Sequence, residues 1–282
     1  MNNQRTLPYL LLAPAAIFLF LFFILPFIQV AIQALTANGA FTLDHFRAMA
    51  SDWKFWPALT NTLLLAVIVV PIQIAMALGM ASLVTGLGRG RDLILYIWTI
   101  PLGISDLAAG LIWLAILEQN GFLNSFFYTL GFIDSPVNWL TYQHPVLLFV
   151  AVIVAEVWRA TAIVLVILVA GMGLIPKEYY EAAEVFGAGP WKRFVKVTLP
   201  LLRPSLQTAL ILRTILALEV FAVVVALAGT NMPVLMSETF NWEFGLQNRS
   251  VAAAYALVIL VISIAFTLVI LKTVKIRPEQ QI

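Results

Sequence analysis

The stretch EAAEVFGAGPWKRFVKVTLP, from Glu181 to Pro200, determines how the rest of the chain is organised. It is charged and helix-forming, and it lies between two apolar runs, Pro145 to Leu174 and Leu201 to Gly229. Each run is longer than the ~20 residues that a helix needs to cross a bilayer. Because a charged segment between two such runs must lie on one aqueous side, the sequence predicts a membrane protein that presents a polar loop to water.

Two short helices with a hinge between them are predicted in this loop. The first should extend from Lys177 to Phe186, because apolar residues recur there at the i, i+3, i+4, i+7 spacing of one helical face. Gly187 suits the left-handed cap that ends a helix, and Pro190 suits the first turn of the next one. By shape alone, the segment could also be an amphipathic helix that lies on the lipid interface.

The spacing of the residues in this loop resembles a known motif. Glu181-Ala182-Ala183, three residues, Gly187, nine residues and then Val197-Thr198-Leu199-Pro200 is similar to the EAA loop in permease subunits of ATP-binding-cassette importers. The one departure is Val197, where that family usually has isoleucine. In the family this loop sits in a cleft of a cytoplasmic ATPase subunit and transmits its closure to the membrane helices. We refer to residues 177–200 as the coupling loop; the resemblance implies that the residues coupled to the ATPase are Glu181, Ala182, Ala183, Gly187 and Pro200.

The composition indicates an all-α, polytopic membrane protein. Hydrophobic residues make up 62% of the chain and charged residues 11%, a balance that would leave large apolar patches on a soluble domain. The runs long enough to span a membrane are Pro8 to Leu35, Asn61 to Val84, Leu93 to Leu117, Pro145 to Leu174, Leu201 to Gly229 and Ser250 to Leu271. We therefore expect a bundle of six transmembrane helices, forming a single transmembrane permease domain over residues 1–282. The first run is about twice as long as the core of a signal peptide, so we interpret it as a retained helix.

The distribution of basic residues predicts the orientation. Of the 16 Lys and Arg residues, eleven lie at the two termini or in the loops of residues 86–92 and 175–203. Those eleven are Arg5, Arg89, Arg91, Lys177, Lys192, Arg193, Lys196, Arg203, Lys272, Lys275 and Arg277. The opposite side has three, which are Arg47, Lys54 and Arg249. The positive-inside rule then predicts that both termini and the coupling loop lie in the cytoplasm. The resemblance to the importer permeases implies that the membrane is a bacterial inner membrane.

Five charged residues lie well inside the predicted spans, away from their ends: Asp106, Glu156, Arg159, Arg213 and Glu219. Such a group costs about 2.5 to 3.5 kcal/mol at the centre of a membrane helix, so it normally faces a bundle interior or a wet cavity. Glu156 and Arg159 are three residues apart on one helical face and could simply pair with each other. Arg213 and Glu219 are roughly 240° apart around a helix, so at least one of them must reach another helix or the substrate.

Outside the coupling loop, the chain resembles the carbohydrate-uptake branch of these permeases, close to the first, maltose-type subunit. The motifs that carry this resemblance are Leu12-Ala13-Pro14-Ala15, Trp113 with Gly121 and Asn124, Glu156-Val157-Trp158-Arg159 and Leu212-Arg213-Thr214. The resemblance implies the type I importer architecture, with a sugar held near mid-membrane by the helices just before and after the loop. The positions that match those of the family are Glu156, Arg159 and Ala160 before the loop and Glu219 after it.

Charged and aromatic side chains are suitable ligands for a sugar. A carboxylate can accept two hydroxyl hydrogen bonds, and a guanidinium can donate several. Trp158 could add a stacking face, and Arg213 is the remaining intramembrane cation. The predicted substrate-binding residues are therefore Glu156, Trp158, Arg159, Ala160, Arg213 and Glu219. Whether the buried charges bind substrate or only pair with one another stays open, as does the identity of the sugar.

The motifs that the chain lacks distinguish between classes of function. It contains no GxxxxGK[ST] phosphate loop, no HExxH, no GxSxG and no cysteine, and its two histidines lack metal-ligand spacing. We therefore expect a transport component and not an enzyme, with no cofactor or metal of its own. The alternative is an ion-coupled secondary transporter that uses Asp106, Glu156 or Glu219 as a proton carrier.

The resemblance also implies a set of partners. The protein partners are a second permease subunit, two cytoplasmic ATPase subunits that bind ATP and Mg, and an extracytoplasmic substrate-binding protein. The second permease is either a copy of this chain or a different chain, and the resemblance favours a different one. The other partners are a disaccharide or oligosaccharide substrate and membrane lipid. The net charge of +2 gives no reason to expect nucleic acid. The stretch from Phe122 to Leu130 is apolar but too short to span the membrane, so we expect it to lie at the extracytoplasmic interface of that membrane.

Overall fold

The computed structural model describes residues 3–141 and 143–276, and over these ranges the chain is almost entirely helical. Four of its helices are long and apolar enough to cross a membrane, or up to six if each bent helix pair counts as one span. Apart from a two-strand hairpin, β1 (Thr36–Ala37) with β2 (Ala40–Phe41), the regular elements are helices. This confirms the all-α membrane bundle.

The first half of the chain contains seven of the α-helices. They are α1 (Asn3–Leu19), α2 (Leu25–Leu35), α3 (Asp44–Ser51), α4 (Phe55–Thr85), α5 (Arg91–Thr99), α6 (Asp106–Leu117) and α7 (Phe122–Thr129). A π-helical turn, Phe20–Ile24, joins α1 to α2, and a 3₁₀ turn, Ile100–Gly103, follows α5. Of α2, only Ala34 is buried, so the first span packs little against the rest of the chain.

The second half contains the remaining α-helices. They are α8 (Pro145–Gly173), α9 (Lys177–Val185), α10 (Pro190–Arg193), α11 (Leu199–Leu201), α12 (Arg203–Leu218), α13 (Ala222–Ala228), α14 (Leu235–Phe240) and α15 (Arg249–Thr273). Two π-helical turns, Phe194–Thr198 and Asn241–Gly245, lie between them.

The bundle is built around the pair α4 and α8, against which α12 packs. Their shared core is aliphatic, with buried side chains such as Val70, Leu165 and Leu218. On the outer side of this core, α13 packs against α6 and α8, while α15 packs against α2, α3, α12 and α14. The helices α4, α8 and α12 therefore form the centre of the bundle, and they carry most of the polar residues described below.

The third predicted span, Leu93 to Leu117, is not one straight helix. The segment Arg91–Gly103 meets the segment Asp106–Thr129 at an angle of 99°. Pro101 lies at the end of the first segment, and Ser105 is extended and accepts a hydrogen bond from the Ala108 N–H at 3.3 Å. This N-cap starts a new helix, which places Asp106 in a first turn and not in a helix interior.

The fifth predicted span, Leu201 to Gly229, is also interrupted. α12 ends at Leu218, and α13 begins at Ala222 after a break over residues 219–221. A second bend, of 69°, separates Pro190–Leu201 from α12 at the end of the coupling loop. Hydropathy could not reveal these bends, because an apolar run scores equally whether it is straight or broken.

Candidate functional site

Four charged side chains and one amide form a network in the middle of the bundle. We call it the charge network, and its members are Gln73 on α4, Asp106 on α6, Glu156 and Arg159 on α8, and Arg213 on α12. It therefore joins four helices at positions far apart in the sequence. The positions of Gln73, Glu156 and Arg213, well inside long helices, place three of its members at the depth of the bundle interior.

The inner half of the charge network is sealed. Arg213 Nη2 donates to Glu156 Oε2 at 2.6 Å, and Arg213 Nε donates to Gln73 Oε1 at 2.6 Å. Gln73 Nε2 in turn donates to the backbone oxygen of Glu156 at 2.8 Å. All three side chains are buried. The amide thus orients the guanidinium and holds the backbone of its ion-pair partner.

The outer half of the charge network is open. Arg159 Nη1 lies 2.7 Å from Asp106 Oδ1, and the Asp106 side chain is 53% exposed while that of Arg159 is 19% exposed. By contrast, the side chains of Glu156 and Arg213 are 3% and 1% exposed. A polar ligand could therefore reach the Asp106 carboxylate directly, whereas Glu156 and Arg213 are closed to it in this conformation.

The ion pairs in the structure differ from the simple pairing of Glu156 with Arg159 that their spacing in the sequence allows. Arg159 Nη2 and Glu156 Oε1 are 3.6 Å apart, but each residue has a closer ionic partner on another helix. Two carboxylates and two guanidiniums make the network neutral overall. Because an unpaired ion is costly in this setting and a compensated one is much less so, this neutrality permits its burial.

Some polar atoms of the charge network could form further hydrogen bonds. Glu156 Oε1, Arg159 Nε and Arg213 Nη1 are buried without a hydrogen-bond partner among the described residues. The cavity beside Glu156 and Arg213 has a volume of only ≈ 10 Å³ and is otherwise lined by apolar side chains. That volume is about the size of one water molecule, so a sugar cannot enter the sealed half without a rearrangement of the helices.

Trp158 and Ala160 lie on the same helix as Glu156 but in different surroundings. The Trp158 ring meets Trp113 of α6 edge to face, with the centroids 6.1 Å apart and the planes at 75°. Ala160 is packed inside the bundle and does not line a described cavity. Of these two predicted substrate contacts, only Trp158 lies at a partly exposed position.

Glu219 does not join the charge network. It is exposed in the break after α12 and forms no ion pair among the described residues. Its side chain lies at a separate cavity of ≈ 540 Å³ between α12 and α15, whose wall is otherwise mostly apolar and includes Ser263 and Thr267. In this conformation Glu219 therefore lies at a different cavity from the charge network, and its assignment as a substrate-binding residue stays a prediction.

Gly187 ends α9 with the left-handed cap that the sequence predicts. Its φ is 72°, its N–H donates to the Glu184 carbonyl at 2.8 Å, and the Ala188 N–H donates to the Ala183 carbonyl at 2.9 Å. These are the two hydrogen bonds of a Schellman motif. A Cβ on Gly187 would meet nothing within 4 Å, so glycine is needed for its conformation and not for space.

The coupling loop exposes a largely apolar surface. α9 buries no residue, so Glu181, Ala182 and Ala183 all lie on an accessible helix, and Pro200 lies on α11 beyond the hinge. Next to them, the side chains of Val185, Phe186 and Trp191 are 85%, 86% and 76% exposed. Single exposed apolar residues are ordinary, but three bulky ones around one helix end are typical of an interaction surface.

Sequence reasoning missed Gln73 and the pairing role of Trp113. Gln73 is the lone amide in the apolar run from Leu63 to Gly79, which is the signal that could have identified it. Trp113 carried no such signal, because tryptophans are common near membrane interfaces. Its Nε1 is buried without a described partner, next to Trp158.

Comparisons with known proteins agree on one family. The family described as "Binding-protein-dependent transport system inner membrane component" matches residues 73–274. The trehalose/maltose transport system permease protein MalF of Thermococcus litoralis is 30% identical over 292 residues, covering 98% of this chain and 96% of that protein. The sulfoquinovosyl glycerol transport system permease protein SmoG of Agrobacterium fabrum is 31% identical over 290 residues, covering 97% and 92%.

The fold has a close match among solved structures. The bacterial alginate ABC transporter, in complex with alginate pentasaccharide-bound periplasmic protein, contains a chain that superposes with a TM-score of 0.82 and covers 96% of this chain and 95% of its own length. The sequence identity is 22%, so this likeness concerns the fold alone.

Proposed function

Because the chain belongs to the family of binding-protein-dependent transport system inner membrane components, we propose that it is the membrane-spanning half of an ATP-driven sugar importer. Members of this family are multi-pass transport components and not enzymes. The observation that carries the proposal is the exposed coupling loop, whose Schellman cap and apolar residues lie within the matched region. We infer that the exposed coupling loop binds a partner protein whose movement it transmits.

The partner of the coupling loop is proposed to be a cytoplasmic ATPase subunit. Such a subunit binds ATP and Mg, for which this chain has no phosphate loop. Glu181, Ala182 and Ala183 would contact the ATPase, while Gly187 and Pro200 set the shape of the loop. Because the 69° bend after Leu201 connects the loop directly to α12, movement of the loop would be transmitted to the helix that carries Arg213.

The complete importer would have further components. We propose a second permease subunit, a second ATPase and an extracytoplasmic binding protein that delivers the substrate to the outer side. The family name and the binding protein in the alginate transporter complex support the last of these. The resemblance to the maltose-type branch favours a second permease that differs from this chain.

The substrate is proposed to be a disaccharide or a small oligosaccharide. The transport systems of the relatives, for trehalose or maltose and for sulfoquinovosyl glycerol, support a glycosidic solute rich in hydroxyl groups. Asp106 and Arg159, at the open end of the charge network, offer an acceptor and a donor, and Trp158 with Trp113 offers an aromatic edge. Glu219 offers a second carboxylate in the cavity beside α15.

The ion-coupled alternative receives no support. The family match and the relatives are components of binding-protein-dependent systems. In addition, Glu156, one of the three candidate proton carriers, is held in an ion pair with Arg213.

The proposal is tested by reconstitution. The purified complex of both permeases and two ATPases, placed in proteoliposomes, should hydrolyse ATP faster when the binding protein and trehalose or maltose are added, and it should accumulate labelled sugar. Uptake that follows a proton gradient in the absence of ATP would overturn the proposal and restore the ion-coupled alternative.

A further inference from the structure

A cavity of ≈ 590 Å³ lies beneath the coupling loop. Its walls come from the ends of α4 and α8, the start of α5, and the loop helices α9 and α10 with the π-helical turn that follows. The volume lies within the range of about 300 to 1,000 Å³ that is usual for ligand pockets. None of the residue roles assigned above involves this cavity.

The cavity is strongly basic. Three cationic side chains line it, Arg91 from α5, Lys177 from α9 and Arg193 from α10, and its lining includes no acidic residue. Arg193 pairs with Glu184 of α9, whereas no ion pair is described for Arg91 or Lys177. The two cations without a described ion pair, Arg91 and Lys177, repel each other unless an anion joins them.

Among the uncharged polar side chains of the cavity, Tyr180 has a hydroxyl donor left for an anion. The hydroxyls of Ser82 and Thr85 donate to carbonyls of their own helix at 2.7 and 2.9 Å, so they are already satisfied as donors. The Thr198 hydroxyl donates to the Tyr180 oxygen at 3.3 Å, which leaves the Tyr180 hydroxyl hydrogen free to donate. Arg91, Lys177 and the Tyr180 hydroxyl can therefore all donate hydrogen bonds to a ligand, and a phosphate group supplies several acceptor oxygens.

The position of the cavity indicates the source of the anion. The long apolar helices α4 and α8 end at it, so it lies where the bilayer meets water. Basic pockets between helices at the cytoplasmic membrane edge suit the headgroups of anionic phospholipids. A dissolved phosphate carries the same group and could reach the same place.

We propose that this cavity binds the phosphate group of an anionic phospholipid, held by Arg91, Lys177 and the Tyr180 hydroxyl. The proposal rests on the proposed function, which puts the cavity on the cytoplasmic side. Because the cavity is shared between the membrane helices and the coupling loop, a bound phosphate braces the loop against α4 and α5. Anionic lipid is then a regulator of the coupling between ATP hydrolysis and transport.

The direct test measures lipid bound to the whole complex. The complex is placed in nanodiscs that contain phosphatidylglycerol and phosphatidylcholine, and the lipid that remains bound after extraction is counted by native mass spectrometry. Arg91→Gln and Lys177→Gln should each weaken the retention of phosphatidylglycerol roughly fivefold. Arg89→Gln and Lys192→Gln are matched controls, since both are basic residues of the same loops that do not line the cavity, and neither should change retention.

Each outcome decides between alternatives. Equal retention by all four variants, or equal retention of both lipids, overturns the site. If inorganic phosphate stabilises the wild-type complex in pure phosphatidylcholine but not the Arg91 and Lys177 variants, the site takes free phosphate and the lipid assignment is wrong. The failure of the proposed function has a different signature, because the complex would then show no stimulated ATPase activity in any lipid, whatever its retention.

Discussion

Arg213 is the largest fully buried side chain among the described residues, and its hydrogen bonds reach α4 and α8 from α12. A guanidinium in this position can be tolerated only while both partners are in place, since an unpaired ion in a membrane interior is costly. The open pair of Asp106 and Arg159 lies at an accessible end and is subject to no such constraint. The two halves of the charge network should therefore respond differently to mutation.

Arg213→Gln and Glu156→Gln should each reduce the amount of folded permease in the membrane. Breaking one partner of a buried ion pair costs about 3 to 5 kcal/mol, because the other charge remains buried. The double variant should recover a substantial part of the loss. Membrane abundance and thermal stability of the two single variants and the double measure this coupling. Arg249→Gln, which breaks an exposed ion pair with Glu243, should leave both unchanged.

Arg159→Gln, Asp106→Asn and Glu219→Gln should leave abundance nearly normal and reduce or re-rank sugar uptake, because these side chains lie at accessible positions where a substrate can meet them. Uptake of several disaccharides, corrected for membrane abundance, is the measurement. If these variants lose abundance and regain it when a partner is also neutralised, their role is structural and the substrate assignment is wrong.

Gly187 is the residue on which the shape of the coupling loop depends. Gly187→Val forces a β-branched residue into the left-handed region and should uncouple ATP hydrolysis from uptake while the membrane helices remain folded. Gly189→Val is the matched control, because Gly189 has a φ of −66° and a Cβ there meets nothing within 4 Å. Glu181→Lys should also uncouple, since it reverses a charge at the contact. Full sugar uptake together with full stimulation of the ATPase in Gly187→Val would exclude this docking surface.

At the scale of elements, one buried amide, that of Asn124, holds the segment between α7 and α8 in place. Asn124 of α7 donates to the Val137 carbonyl at 2.7 Å and accepts from the Val137 N–H at 3.1 Å and from Trp139 Nε1 at 3.0 Å. Gly121 precedes it, where a Cβ would come within 2.7 to 2.9 Å of three carbonyl oxygens. The Trp139 indole is thus held by the protein itself, whereas Trp53 and Trp56 are exposed.

Asn124→Ala should loosen the segment between α6 and α8. It leaves the Val137 N–H and Trp139 Nε1 without their partner; both residues are half-buried, so each group costs at most the ~1 to 3 kcal/mol of a fully buried unsatisfied one. Hydrogen exchange over residues 118–141 should become faster, while exchange in α4 and α8 stays slow. Asn231→Ala provides the control, since Asn231 is exposed and has no side-chain hydrogen bond among those described.

At the scale of the whole molecule, the distribution of basic residues predicts the orientation in the membrane. Eleven of the 16 basic residues lie on the side of the coupling loop and three on the other side. A reporter that is active only in the cytoplasm should therefore work when fused after Ile282. The same reporter inserted after Asp134, in the segment that follows α7, should be inactive. The reverse result would place the coupling loop outside the cell and would remove any contact with an ATPase.

The sequence alone determined the features that depend on local chemistry. Apolar length predicted the membrane class and six spans, four of which lie on single long helices, and glycine's access to the left-handed region predicted the cap at Gly187. These properties depend on neighbouring residues, so they can be read from a short window. The first helix of the coupling loop is predicted to end at Phe186, one residue after its observed end at Val185.

Only the tertiary structure decided how the polar residues are paired. Arg213 meets Glu156 and Gln73 across 57 and 140 residues of sequence, and no periodicity specifies such a contact. The bend at Pro101 and the break after Leu218 separate Asp106 and Glu219 from the positions that straight helices would give them. A buried charge must be neutralised by whichever partner the packing brings near, and the packing is a property of the whole bundle.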